Sequence, residues 1–296
     1  MKRLSFLCLI FSMTVFGTIG IFRNYIPFPS AFLAMVRGFI GAAFILVFLI
    51  LTKKGIDFAA IKKNALILII TGAFIGINWI LLFEAYKHTS VAVATLCYYM
   101  APLFVTVASS IFFKEKLTVK KAVCITLAIG GMILVSGALD GSLQGSSQIL
   151  GILLGIGAAI FYASVTLVSK KVKDISSFDM TLVQLFSAAV VVMPYSLIFE
   201  KISFEGTKLS ALWLVLLVGI LHTGIAYVMY FTSVKNLEAS KVAIFSYLDP
   251  IIAILLSALV LKEEMTLAVG IGAVLILVSA FVSEVNFAHF KRRDKK

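Results

Sequence analysis

The 296-residue chain is 61% hydrophobic and only 14% charged, with a mean hydropathy of +1.09. Soluble domains sit near half apolar and a quarter charged, so a water-soluble globular class is excluded and lipid becomes the solvent to reason with. The net charge of +12 is carried by short basic clusters between long apolar runs rather than by a basic groove or helix face, which excludes nucleic acid as a partner and leaves the charge as a topology signal.

About 20 apolar residues cross a bilayer as a helix. In chain order such runs fall near 4–22, 31–52, 65–86, 90–112 and 119–138, then near 148–169, 179–199, 210–232, 240–261 and 267–285. The first follows Met1-Lys2-Arg3 in the manner of a signal peptide, but it lacks a small-residue cleavage site and reads as an uncleaved helix. The sequence thus predicts an all-α polytopic membrane protein with ten transmembrane helices. Asp140 to Gln148 is the one polar stretch of any length and forms the natural joint between two halves.

Basic residues collect on the cytoplasmic side of such a chain. With the N-terminus inside, the cytoplasmic segments would hold twenty Lys and Arg, among them Lys53, Lys54, Lys62, Lys63, Lys114, Lys116, Lys120, Lys121, Lys170, Lys171, Lys173, Lys235 and Lys241. The outer loops would hold five (Arg23, Lys87, Lys201, Lys208 and Lys262), and Arg37 falls within a span. This predicts a multi-pass protein of the cytoplasmic (inner) membrane with both termini cytoplasmic.

At an offset of 148 residues, Pro102 matches Pro250, Lys114 matches Lys262, Glu115 matches Glu263, Thr118 matches Thr266, Gly76 matches Gly224 and Lys87 matches Lys235. Ungapped matches of this kind indicate duplication. With five helices per half, an odd number, the second copy inserts upside down, a frequent build for secondary transporters with a site at the repeat interface. The expected units are 1–139 (helices 1–5), 148–286 (helices 6–10, inverted) and a basic cytoplasmic tail at 287–296.

The run from Phe83 to Thr118 (FEAYKHTSVAVATLCYYMAPLFVTVASSIFFKEKLT) and its partner from Tyr230 to Thr266 (YFTSVKNLEASKVAIFSYLDPIIAILLSALVLKEEMT) resemble EamA-type repeats of the drug/metabolite transporter superfamily. The resemblance covers nearly the whole chain, near 5–137 and 149–285. It implies ten helices with cytoplasmic ends, a central cavity lined mainly by helices 1, 3, 4, 6, 8 and 9, and alternating access for small metabolites, often amino acids or their relatives. It leaves the cargo open.

Charged or polar groups at membrane depth are expensive and mark function by default. Asp249 stands near the middle of its span, followed by Pro250, which removes a backbone donor and kinks the helix. It is the first candidate for a proton or cation site or an anchor for a substrate amine, against the plain alternative of a carboxylate satisfied by a neighbouring helix. Pro102 and Pro250 read as helix kinks. His222, in mid-helix, is placed to share a proton with Asp249 or to serve as a packing residue. Glu84, beside Tyr86 and Lys87, reads as a vestibule group for cations or a solvated, Lys-paired side chain. Arg37 is read as structural, pairing with Glu84 or snorkelling outward.

Asn78 and Trp79, with Tyr98, Tyr99, Tyr227, Tyr230 and Tyr247, offer amide, cation-binding and hydrogen-bonding surface for a pocket, and Gln184 is a weaker candidate. Gly72-x-x-x-Gly76 and Gly151-x-x-x-Gly155 are packing motifs, as are Gly130-Gly131 and Gly270-x-Gly272. Cys8, Cys97 and Cys124, odd in number and without ligand spacing, suggest neither disulfides nor a metal site. No enzymatic motif is present, and no cofactor is expected.

The function the sequence favours is secondary transport of a small polar metabolite (an amino acid, an amine, or a related zwitterion or cation), driven by H+ or Na+ where coupled, by a monomer or homodimer in the bilayer. A membrane receptor that binds a small ligand without transporting it is the alternative class. Single cysteines placed in the first five and last five residues should both be labelled only from the cytoplasmic face; labelling from opposite faces would remove the inverted topology.

Overall fold

The computed structural model describes residues 2–112, 118–136, 145–169, 171–237 and 245–284. Expectations that rest on Lys114, Glu115, Lys116, Lys170 and Lys241, on residues 140–144 and on the tail 287–296 lie outside these residues. Among the described residues every regular element is helical.

The first apolar run folds as α1 (Lys2–Gly17) and α2 (Ile19–Asn24), interrupted at Thr18, whose hydroxyl donates to the Val15 carbonyl at 2.7 Å. Pro27 and Pro29 end that stretch and set the entry to α3 (Ser30–Leu51). Next comes α4 (Phe58–His88), 31 residues long, which starts seven residues before the apolar run that announced it. The cause is a cap: the Asp57 carboxylate accepts from the Ala60 amide at 2.9 Å, so Lys62 and Lys63 ride on the first turns of the helix instead of in a loop.

The run near 90–112 is also interrupted, giving α5 (Val91–Tyr98) and α6 (Ala101–Phe112), and α7 (Val119–Val135) follows. Beyond the joint lie α8 (Gly145–Ser169), α9 (Ser177–Phe199) and α10 (Leu209–Leu217). The last of these runs without a loop into a π-helical segment, Val218–Ile225, and then α11 (Ala226–Asn236). The described chain closes with α12 (Leu248–Val260) and α13 (Leu267–Glu284).

Among the described residues seven helical stretches are long and apolar enough to cross a membrane: Arg3–Asn24, Ser30–Leu51, Phe58–His88, Val91–Phe112, Gly145–Ser169, Ser177–Phe199 and Leu209–Tyr230. Two shorter apolar helices, Leu248–Val260 and Leu267–Ser283, join them. Their outer faces carry large exposed side chains such as Ile50, Leu51, Ile111, Phe112, Ile198, Phe199 and Leu259, as a lipid-facing surface requires.

The two parts of the chain are packed into each other. α4 lies against α8 and α9, α3 against α9 and the π segment, α1 against α11 and α12, α5 against α8 and α12, and α7 against α13. Small residues allow the close approach. A β-carbon at Gly72 would lie 2.5 Å from the Ser187 side chain, one at Gly76 2.6 Å from Val192, and one at Gly155 2.8 Å from Cys97. Hydrogen bonds between helices fix the register: Asn78 Nδ2 to the Ala158 carbonyl at 2.5 Å, Gln184 Nε2 to Thr71 Oγ1 at 2.9 Å, and Ser233 Oγ to the Ser5 carbonyl at 2.8 Å. Each such bond contributes about 0.6–2 kcal/mol in lipid. Cys97 and Cys124 are buried in the apolar cluster of α5, α7 and α13.

The glycine pairs in α7 and α13 separate into packing and idle positions. Gly131 faces the Gly272 carbonyl, 2.8 Å from where its β-carbon would stand, whereas Gly130 and Gly270 have nothing within 4 Å. Gly131→Ala should therefore lower the melting temperature in detergent by overpacking, about 1–3 kcal/mol. Gly130→Ala, in open space and a better helix former, should leave it unchanged or raise it. Equal effects of the two would contradict this packing.

Candidate functional site

Three helix interruptions meet in the interior. The turn at Tyr99 and Met100 precedes α6, and Pro102 cannot donate the hydrogen bond that would bridge it. The turn at Tyr247 precedes α12, with Pro250 in the same position relative to it. Tyr99, from the first turn, reaches within hydrogen-bonding distance of the Asp249 carboxylate just after the second. The third interruption, at Gly17 and Thr18, packs onto the same place. A β-carbon at Gly17 would stand 2.5 Å from the Asp249 carbonyl oxygen, so only glycine lets α1 approach.

Around Asp249 lie Tyr86, Tyr98, Tyr99 and Tyr227, each within electrostatic range of its carboxylate. All five side chains sit deep in the bundle, yet each keeps accessible surface. These part-exposed interior groups form a polar cluster, the candidate hollow of the bundle. Tyr86, Tyr98 and Tyr227 also lie within electrostatic range of Arg37. Arg37 is 5% exposed; its guanidinium lies 4.2 Å from the centre of the Trp79 ring and 5.4 Å from that of Phe83, and its Nε donates to Thr223 Oγ1 at 3.1 Å. The π segment sets that contact: its wider turn lets the Thr223 hydroxyl donate to the Val218 carbonyl at 3.2 Å while its oxygen faces Arg37. Gly219 and Gly224 on the same segment accommodate Ile40 and Phe44 of α3.

The structure thus groups Asp249, Tyr98, Tyr99 and Tyr227 in one hollow and puts Trp79 in its wall beneath Arg37. It sets the other expected residues apart. His222 does not approach Asp249: its Nε2 donates to Thr18 Oγ1 at 2.8 Å, since that hydroxyl's proton is already given to Val15, and the ring packs edge-on against Phe22, centroids 4.9 Å apart. Its Nδ1 is buried without a partner among the described residues. Asn78 ties α4 to α8 and Gln184 ties α9 to α4, so both are committed to helix registration. Tyr247 packs edge-on against Phe281, centroids 5.6 Å apart. Tyr230 packs against Phe16. Glu84 pairs with Lys87 at 2.7 Å near one end of the bundle, and Arg37 neither pairs with it nor snorkels outward.

At that end two carboxylates, which the sequence reading passed over as functional groups, join the parts of the chain. Glu200, at the end of α9, accepts from the amides of Ala31 (2.9 Å) and Phe32 (2.7 Å) at the start of α3, where Pro29 supplies no side-chain cap. Glu263, after α12, accepts from the amides of Val91 (2.9 Å) and Ala92 (3.3 Å) at the start of α5. A serine on each acid's own helix, Ser196 and Ser257, donates to the carboxylate. Only the recurrent Lys-Glu pair hinted at Glu263; the partners are 172 and 171 residues away, beyond any local signal. A vestibule of about 510 Å³ is lined by Arg23, Asn24, Pro27, Pro29, Tyr86 and Lys87.

Long apolar helices, several of them interrupted in the interior beside buried charged groups, define a multi-pass membrane protein. The EamA-like transporter family model matches residues 3–137 and again residues 149–284, and the chain belongs to that family. The chain is 30% identical over 287 residues to the uncharacterized transporter YxxF of Bacillus subtilis (strain 168), covering 96% of this chain and 91% of that protein. It is 28% identical over 268 residues to the uncharacterized transporter YoaV of the same organism, covering 89% and 90%. A protein solved by crystallography shares the fold, with a TM-score of 0.69 at 18% identity over 99% of both chains.

A carboxylate on a helix N-terminus gains from both the free amides and the helix dipole. Glu200→Ala and Glu263→Ala should each cost about 1–2 kcal/mol of stability. The losses should add in the double variant, because the clamps share no partner. Unchanged melting in the double variant would show that the clamps hold nothing.

Proposed function

We propose that this protein is a secondary transporter carrying a small polar metabolite (an amino acid, an amine, or a related zwitterion or cation) across the cytoplasmic membrane by alternating access, with proton coupling at Asp249. The observation that carries the proposal is Asp249 itself: an accessible carboxylate held deep inside the bundle by two helix interruptions 148 residues apart. A charge at that depth is expensive, and tyrosine hydroxyls turned toward it give a solute or a proton the partners that lipid cannot.

The moving parts are two inverted five-helix units, 1–139 and 148–286, inserted with both termini cytoplasmic. The packing pattern supports this division. Exchanging each first-half helix for its second-half counterpart turns the contact of α4 with α8 into that of α11 with α1, and the contact of α4 with α9 into that of the π segment with α3. In this orientation the end bearing Glu200 and Glu263 is external. Each clamp spans the two units, so opening the hollow outward releases carboxylates from helix termini, while opening it inward leaves them in place. His222, Asn78 and Gln184 serve the scaffold; Glu84 serves the vestibule. One chain supplies the whole pathway.

Counterflow in proteoliposomes tests the reading: preloaded unlabelled amino acids or amines should drive uptake of the labelled compound. Asp249→Asn should slow exchange at least about tenfold and flatten its dependence on pH. Tyr99→Phe, which removes one hydrogen bond to that carboxylate, should have a smaller effect in the same direction. Wild-type exchange by Asp249→Asn with an unchanged pH profile would remove the coupling role.

A further inference from the structure

Arg37 is more than a structural cation. Its guanidinium is nearly enclosed, and its Nε is the one nitrogen with a hydrogen bond, to Thr223. The two terminal nitrogens have no hydrogen-bond partner among the described residues, and neither is sealed away from accessible space. The ion pairs among the described residues are Lys63–Asp174, Lys87–Glu84 and His88–Glu84; Arg37 belongs to none of them. Asp249 is not its counter-ion either: no ion pair joins them among the described residues, and the side chain that bonds the Asp249 carboxylate is Tyr99.

An interior guanidinium without an anion is costly, and the ring faces of Trp79 and Phe83 offset only part of that cost. The arrangement is what recognition of a carboxylate needs. The charge is permanent. The flat face is fixed on Trp79, Nε is anchored, and the two terminal amino groups are left as a parallel fork that matches a carboxylate. The approach is prepared as well. Arg23 and Lys87 line the vestibule together with Tyr86, whose ring also borders the hollow. Phe83 lies under both guanidinia, 5.9 Å from that of Arg23 and 5.4 Å from that of Arg37. Glu84, which pairs with Lys87, and Glu200 balance the vestibule cations, so the cation without an acidic partner among the described residues is Arg37 on the inner side.

We infer that Arg37 is the solute-recognition residue of the hollow and that the transported molecule carries a carboxylate, which docks on the free fork of Arg37. The inference rests on the transporter reading and narrows its solutes: amines without a carboxylate are excluded, and Asp249 takes the ammonium of any solute that has one. Thr223 is a positioning residue that holds the guanidinium in plane.

The test is counterflow with three matched sets of labelled probes, namely α-amino acids, the amines left by removing their carboxyl groups, and the carboxylic acids left by removing their amino groups. The wild-type protein should exchange members of the first set, the third set or both, and none of the second. Arg37→Gln should raise the half-saturating concentration of an accepted probe at least about tenfold, the loss of a charge-assisted bidentate contact. Arg37→Lys should recover only part of the loss, because an ammonium lacks the fork. Thr223→Val should give a smaller rise with no change in maximal rate. Monodisperse elution and a wild-type melting profile verify that each variant is folded, and Arg37→Lys and Thr223→Val keep the test open where Arg37→Gln does not fold. Exchange of amines alone, or carboxylate exchange with unchanged half-saturation in folded variants, overturns the inference while leaving transport standing. Exchange of no probe in any set counts against the transporter reading and takes the inference with it.

Discussion

Hydrocarbon offers no hydrogen bonds, so every backbone amide and carbonyl in a membrane segment must find its partner within the protein or in water admitted by it. That constraint governs where this chain can interrupt its helices. The turns at Thr18, at Tyr99 and Met100, and at Tyr247 all fall within apolar runs, and each would be prohibitive on a lipid-facing surface. They are tolerable because they converge on one another: Gly17 brings α1 against the Asp249 carbonyl, and Tyr99 meets the Asp249 carboxylate. A polar hollow follows from interrupted helices as much as from polar side chains.

The same requirement explains the glutamate clamps. A helix start leaves its first amides unpaired, and where the end of one helix packs on the start of another, water cannot be relied on to satisfy them. Pro29 gives α3 no side-chain cap and Ser90 gives α5 only one, reaching Val93 at 3.1 Å. Glu200 and Glu263 complete both starts from distant helices. A capping role of this kind is conditional on the packing that brings the helices together, which makes it suited to a contact that forms and breaks.

The sequence was legible where the physics is local. Composition and run length revealed a multi-pass helical membrane protein, the recurrence of Pro, Lys-Glu and Thr at one offset led to the family, and Asp249 stood out as a charge at depth. Interruptions of the helices were only half legible: Pro102 and Pro250 announced two of them, but nothing at Thr18 signals a break, and in the π segment His222 stood out as a polar group without announcing a change of helix type. The extra turns of α4 hinged on Asp57, a cap that hydropathy alone ignores. What the sequence could not disclose was direction. His222 and Asp249 are 27 positions apart and seemed natural partners, yet the register of α1 sends the imidazole to Thr18. Asn78 was credited to the pocket because it lies beside Trp79, but consecutive helical residues point about 100° apart, and only Trp79 faces Arg37.

Arg37 shows why the separation of charges matters more than their number. Had Arg37 and Asp249 been close enough to pair, each would satisfy the other and a solute would have to break a buried ion pair in order to bind. Tyr86 and Tyr227 lie within electrostatic range of both charges, and no ion pair joins Arg37 to Asp249 among the described residues. A strongly satisfied site would bind nothing, and a strongly unsatisfied one would not fold in lipid. The hollow lies between these limits, with its permanent charge braced on Trp79 and its ionisable charge placed where two helices are already interrupted. The bracing belongs to α3 and α4 and the ionisable group to α12, so the two charges are carried by different helices.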